Sequence, residues 1–219
     1  MRVAPRHHII ISGTGRAGTT FLIQLLTELR LDTGFPDAYS QIYSNCNAGM
    51  EFDIRDSNAP FIVKSPWLCD YLDEVLKGGE VVVDHAIVPM RDLYSAAQSR
   101  RDVASRTDPS LYAPGSVPGG LWHTNKPEDQ EVILTAQLYN LMYTLAKYDV
   151  PLTLLLFPVF VNNPEYLYRK IKFVLGDIRY DIFFKAFQMV SRPELVHDFT
   201  RQENKTDYLR GAKTCSQNT

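Results

Sequence analysis

Ile9-Ile10-Ile11-Ser12-Gly13-Thr14-Gly15-Arg16-Ala17-Gly18-Thr19-Thr20-Phe21-Leu22 reads as a buried strand, a glycine-rich turn and the start of a helix. Three consecutive isoleucines suit a strand covered on both faces. Gly13, Gly15 and Gly18 let the backbone turn sharply and approach a ligand closely. The helix expected over residues 19–29 opens with unpaired N–H groups and the positive end of its dipole at the same spot. Thr19 and Thr20 add hydroxyl donors. Arg16 adds a permanent charge whose planar fork suits phosphate or sulfate oxygens. The unit predicts an anion-binding loop between a strand and a helix.

The same alternation continues outward from this unit. Residues 60–64 (PFIVK) predict a second strand, and residues 67–76 a helix stopped by Gly78 and Gly79. A third strand falls within 81–90, centred on 86–90, and runs into a helix from Asp92 to about Ala104. A long helix over 128–148 leads to a fourth strand over 152–157, with further helices expected over 164–175 and 180–190. Short apolar strands separated by helices predict an α/β fold in three layers, a central parallel sheet with helices on both faces. Two stretches break the rhythm. Residues 32–58 are rich in Asp, Asn, Ser and Gly, and residues 107–127 carry Pro109, Pro114, Pro118 and Pro127. Loops of that length are lids or binding loops, expected here on the acceptor side of a single domain, with residues 192–219 as a polar tail.

The bulk composition excludes several classes. The 219 residues are 45% hydrophobic and 22% charged with a formal net charge of −2, so a global nucleic-acid binder is not expected. Any anionic ligand must be held by local positive charge. Cys46, Cys69 and Cys215 lack metal-ligand spacing and are too few for a disulfide framework. With no apolar run approaching a membrane span and no leader pattern at the start, the expectation is a cytoplasmic chain. The sequence carries no sign of oligomeric state.

Gly13 and Gly18 are spaced like the loop of nucleoside triphosphatases, but Thr19 stands where that loop has lysine. A second anion site is expected nearby. Arg91 follows the third strand directly, and Ser99 lies two helical turns on, on the same side of the helix. Both fall beyond the carboxyl ends of the strands, where open α/β sheets bind ligands. Lys64, at the end of Phe61-Ile62-Val63-Lys64-Ser65-Pro66, falls there too.

These residues carry a resemblance. Gly15-Arg16-Ala17-Gly18-Thr19-Thr20 resembles the 5′-phosphosulfate loop of sulfotransferases that use 3′-phosphoadenosine 5′-phosphosulfate, the loop being most similar to the tyrosylprotein and bacterial type. Arg91 with Ser99 resembles the family's 3′-phosphate motif, an Arg after a strand and a Ser eight positions later. The resemblance spans about residues 9–175. It implies a P-loop fold, 3′-phosphoadenosine 5′-phosphosulfate as donor and no required metal. It places Gly15, Arg16, Ala17, Gly18, Thr19, Thr20, Arg91 and Ser99 on the nucleotide. Lys64 matches the lysine of the Lys-Thr-His segment of cytosolic members, while Pro66 replaces the histidine that serves them as base. The family's C-terminal Arg-Lys-Gly segment has only a distant counterpart in Tyr208-Leu209-Arg210-Gly211.

Sulfuryl transfer to an acceptor hydroxyl or amine needs charge stabilised on the equatorial and leaving oxygens, and a base for the acceptor's proton. Arg16 and Lys64 meet the first need. Distance from Arg16 points to Asp37 as base by analogy with the tyrosylprotein enzymes. Glu51, an acid among apolar neighbours, is preferred over it, and His123 is the third candidate. Trp67, Trp122 and Tyr139 are candidates for an acceptor or adenine pocket, although helical spacing assigns Tyr139 and Tyr143 to the core. Arg100, Arg101 and Arg106 read mainly as a solvated helix face. The expected acceptor is a small molecule or carbohydrate. The alternatives are a P-loop kinase and a non-catalytic nucleotide-binding protein of the same fold.

Overall fold

A computed structural model describes residues 4–112, 117–197 and 199. Four parallel strands form the central sheet: β1 (Arg6–Ile11), β4 (Ile62–Lys64), β5 (Val81–Met90) and β6 (Leu152–Leu156), in spatial order β4-β1-β5-β6. The helices are α1 (Thr19–Glu28), α2 (Leu68–Gly78), α3 (Leu93–Arg106), α4 (Gln130–Lys147), α5 (Val159–Asn162), α6 (Pro164–Lys170), α7 (Lys172–Leu175) and α8 (Tyr180–Val190).

Strand alternation sorts the core into two layers. Ile9 and Ile11 of β1, Ile87 of β5 and Leu155 of β6 face α1 and the C-terminal helices, packing on Leu22, Leu26, Phe160 and Phe183. Ile10, Val63, Ala86 and Val88 point to the opposite face, against Leu68 and Leu72 of α2 and Leu141 and Leu145 of α4. Period-two side chains on a sheet buried from both sides produce this division. The expected three-layer α/β fold is the one observed.

Several boundaries differ from expectation. The third strand occupies all of 81–90, because a register shift between His8 and Ile9 lets Val81 and Val83 stay on the core face beside Ala86 and Val88. Pro89 is tolerated in this strand because β1 has already ended opposite Ile87. The helix expected over 164–175 is broken at Ile171 into α6 and α7. Residues 32–58 contain a short antiparallel hairpin, β2 (Ile42–Tyr43) with β3 (Ala48–Gly49). Tyr139 and Tyr143, assigned to the core by spacing, stack on each other at the surface, 67% and 61% exposed. The stripe of α4 that packs inward is instead Leu134, Leu141 and Leu145. Among the described residues no helix is long and apolar enough to cross a membrane.

The chain runs from β1 to β4 on one side and then to β5 on the other, so the glycine loop after β1 opens at the point where the strand order reverses. Lys64 lies level with Ile11 in the register, and Arg91 follows β5 directly.

Candidate functional site

The glycine loop is built to leave donors free. Gly13, Gly15, Arg16 and Gly18 all have positive φ. Gly18, at φ 81°, precedes α1, whose first turn has neither a side-chain cap nor an acidic residue. The N–H groups that open α1 therefore point at the loop without a local side chain to accept them. Arg16 in the left-handed region is a strained non-glycine position of the kind that collects at ligand sites.

Arg16 is the hub. Its Nε donates to Ser99 Oγ at 3.1 Å and its Nη1 to the Cys46 carbonyl at 2.6 Å. Its own carbonyl accepts from Arg91 Nη1 at 2.8 Å. The two residues expected at the second anion site are thus gathered on either side of the first. Burial lowers the Arg16 guanidinium from its ordinary value. Arg91 also lies 4.9 Å over the Phe157 ring and donates from Nη2 to the His197 carbonyl. The segment expected to be only a polar tail therefore begins by covering this arginine. Tyr208-Leu209-Arg210-Gly211 lies outside the described residues.

Lys64 is 2% exposed. Its Nζ donates to Glu51 Oε1 at 2.5 Å, to the Gly49 carbonyl at 2.6 Å and to Thr20 Oγ1 at 3.3 Å. Burial lowers its pKa from the ordinary lysine value, and Glu51 opposes that shift. The β2–β3 hairpin makes this contact possible by delivering Gly49 and Glu51 over the end of β4. Gly49 cannot be replaced there, because a Cβ would sit 1.9 Å from the Gln41 carbonyl.

A cavity of about 1220 Å³ joins these groups. Gly15, Arg16, Gly18, Thr19, Thr20, Glu51, Lys64, Arg91 and Ser99 all line it. Ala17 is fully buried beneath the loop and is not among the lining residues. Asp37 does not line the cavity either; its carboxylate accepts from the Tyr39 N–H at 2.8 Å and Ser40 Oγ at 3.0 Å. Those two bonds lower its pKa. His123 lines the rim and pairs with Asp70 at 3.0 Å. The Cys69 thiol is pushed up to about 12 by burial and Asp70, which leaves it un-ionised and a poor nucleophile. Among the described residues, no three His, Cys, Asp or Glu side chains gather as a metal site requires.

Arg100 corrects the sequence reading. It is 3% exposed rather than part of a solvated face. Nη2 donates to the Thr14 carbonyl in the glycine loop at 2.7 Å, and Nη1 to the Gly120 carbonyl at 2.8 Å. The guanidinium lies 4.6 Å from the centre of the Trp122 ring. Desolvation, with Arg16 nearby, pushes it down to about 9. The run Arg100-Arg101-Arg106 hid it: only the phase of α3 separates Arg100 from the half-buried Arg101, which pairs with Glu131. Ser12 Oγ is buried without a hydrogen-bond partner among the described residues.

Arg16, Lys64, Arg91 and Arg100 converge on one end of a chain whose net charge is −2. Such a focus of charge, with free N–H groups between, can hold an anion of more than one phosphate. No protein-family model matches the chain, and no curated protein matches it.

Proposed function

We propose that this chain is a sulfotransferase that moves a sulfuryl group from 3′-phosphoadenosine 5′-phosphosulfate to a hydroxyl or amine of an acceptor. The observation that carries the reading is the Arg16 hub, which brings Arg91 and Ser99 against the glycine loop while Lys64 reaches Thr20 at the start of α1. Two cationic seats served by separate elements suit a nucleotide phosphorylated at both ends of its ribose. Thr19 in place of a loop lysine speaks against a kinase.

When bound, the donor supplies the sulfuryl group and a phosphate leaving group. The N–H groups of the loop and Arg16 hold the 5′-phosphosulfate; Arg91 and Ser99 hold the 3′-phosphate. Lys64 neutralises charge that develops on the transferring and leaving oxygens, a role whose loss costs on the order of 2–4 kcal/mol in the transition state. The acceptor oxygen or nitrogen forms its bond to sulfur as the bond from sulfur to phosphate oxygen breaks, and the acceptor's proton passes to a base. Of the three candidates, Glu51 is the one in contact with Lys64, so it takes that role here.

Thermal unfolding with 3′-phosphoadenosine 5′-phosphate, ATP and ADP tests the reading. The 3′-phosphorylated nucleotide at a hundred times its dissociation constant adds about 2.7 kcal/mol of stability, and ATP adds less. Stabilisation by ATP alone defeats the proposal in favour of a kinase. Stabilisation without sulfate transfer to any acceptor identifies a non-catalytic nucleotide binder, the outcome that Pro66 in place of a histidine would explain.

A further inference from the structure

The cavity is larger than the ~300–1,000 Å³ that holds a single small ligand, and part of its wall is aromatic. Trp67 and Trp122 lie side by side there, ring centroids 5.9 Å apart and planes inclined by 32°. Trp67 follows Lys64 by three residues and is 48% exposed. Trp122 is held rigidly from behind. Its backbone N–H donates to Gln130 Oε1 at 2.7 Å, Gln130 is fully buried, and the Arg100 guanidinium lies 4.6 Å from the ring centre. Its indole Nε1 is buried without a partner among the described residues. A half-exposed tryptophan beside a braced one is a surface prepared for a flat partner, not a piece of core.

The polar lining of the same cavity decides what kind of partner. Gln41, Ser44 and Asn47 line the cavity with exposed side chains that make no hydrogen bond among the described residues. Gln41, just before β2, and Asn47, just before β3, both have positive φ. Neutral amides and a hydroxyl lining one cavity with an indole surface match a pyranose ring, which has an apolar C–H face and several hydroxyls at its edge. A phenol would leave the amides unpaired.

We infer that Trp67 and Trp122 form the platform of a carbohydrate acceptor subsite, with Gln41, Ser44 and Asn47 reading ring hydroxyls. The inference rests on the sulfotransferase reading for its use of the word acceptor; the platform itself stands on the aromatic geometry.

The chain has two tryptophans, and both are in the platform, so intrinsic tryptophan fluorescence reports this site alone. The full chain, with and without 3′-phosphoadenosine 5′-phosphate, is titrated with chitotriose, cellotriose, lactose and 4-methylphenol. At least one sugar shifts the emission saturably. Trp67→Ala weakens that sugar about tenfold, Trp67→Phe restores most of it, and neither changes the thermal shift given by the nucleotide. Sugars without effect on a chain that still binds the nucleotide overturn the inference, as does a saturable response to 4-methylphenol alone or a Trp67→Ala variant that binds sugar normally. Sugar binding on a chain that ignores the nucleotide upholds the platform and defeats the donor assignment instead.

Discussion

At the residue scale, Arg91 and Lys64 make separable predictions. Arg91 touches the loop through the Arg16 carbonyl and lies over Phe157, which hold its guanidinium beside the loop. Arg91→Ala should lower affinity for 3′-phosphoadenosine 5′-phosphate by about 2–3 kcal/mol and bring it close to that of 5′-AMP, which lacks the 3′-phosphate. Calorimetric titration of both nucleotides checks this, and an unchanged ratio removes Arg91 from the site. Lys64 predicts a pH dependence. Burial lowers its pKa, so the cation is lost at a lower pH than an ordinary lysine would lose it. Nucleotide affinity should therefore fall on the alkaline side before ordinary lysines titrate, and Lys64→Arg should push that fall to higher pH because guanidinium keeps its proton. Affinity constant through that range, or an identical limb in Lys64→Arg, assigns the binding charge elsewhere. In the sequence Lys64 and Arg91 were legible because each ends an apolar strand. The Lys64–Glu51 contact was not legible, since it depends on a two-residue hairpin with no repeated pattern to announce it.

At the element scale, the two ends of α1 and α2 show what glycine does in each place. A Cβ on Gly18 would meet Phe160 Cζ at 2.7 Å and Phe157 Cδ2 at 3.0 Å, and φ is 81°. Gly18→Ala thus combines backbone strain with overpacking and should cost roughly 2–4 kcal/mol, read by urea unfolding. Gly78 closes α2 with nothing within 4 Å of an added Cβ, so Gly78→Ala should be neutral or stabilise by up to about 1 kcal/mol. Equal effects at the two positions would mean that α1 does not need its tight entry. Strands and helices of this kind were legible because burial on two faces leaves short apolar runs, and Gly18 and Gly79 mark where elements meet. What escaped was phase. On α3 one residue decides whether an arginine is fully buried, as Arg100 is, or half-buried in an ion pair with Glu131, as Arg101 is. On α4 the aromatic side chains at core-like spacing point outward, because the inward stripe is already filled by leucines.

For the whole molecule, the cavity is walled by segments distant in the chain: the glycine loop, the hairpin, residues 117–123 and residues 190–197. Arg100 is the physical link between two of them, with one end of its guanidinium on Thr14 and the other on Gly120. A bound anion that orders the glycine loop should therefore also steady residues 117–123, which carry Trp122. Amide exchange measured with and without 3′-phosphoadenosine 5′-phosphate should slow in both segments. Arg100→Lys keeps the charge but offers no fork able to span both carbonyls, so the glycine loop should stay protected while residues 117–123 return to their unliganded exchange. Matching far-ultraviolet spectra would establish that the variant is folded. If protection of residues 117–123 survives in Arg100→Lys, the two walls respond to nucleotide independently and Trp122 is positioned without help from the glycine loop. If it is lost, nucleotide occupancy shapes the wall that carries Trp122 through one buried side chain, and by reciprocity a ligand on that wall changes nucleotide affinity by the same factor.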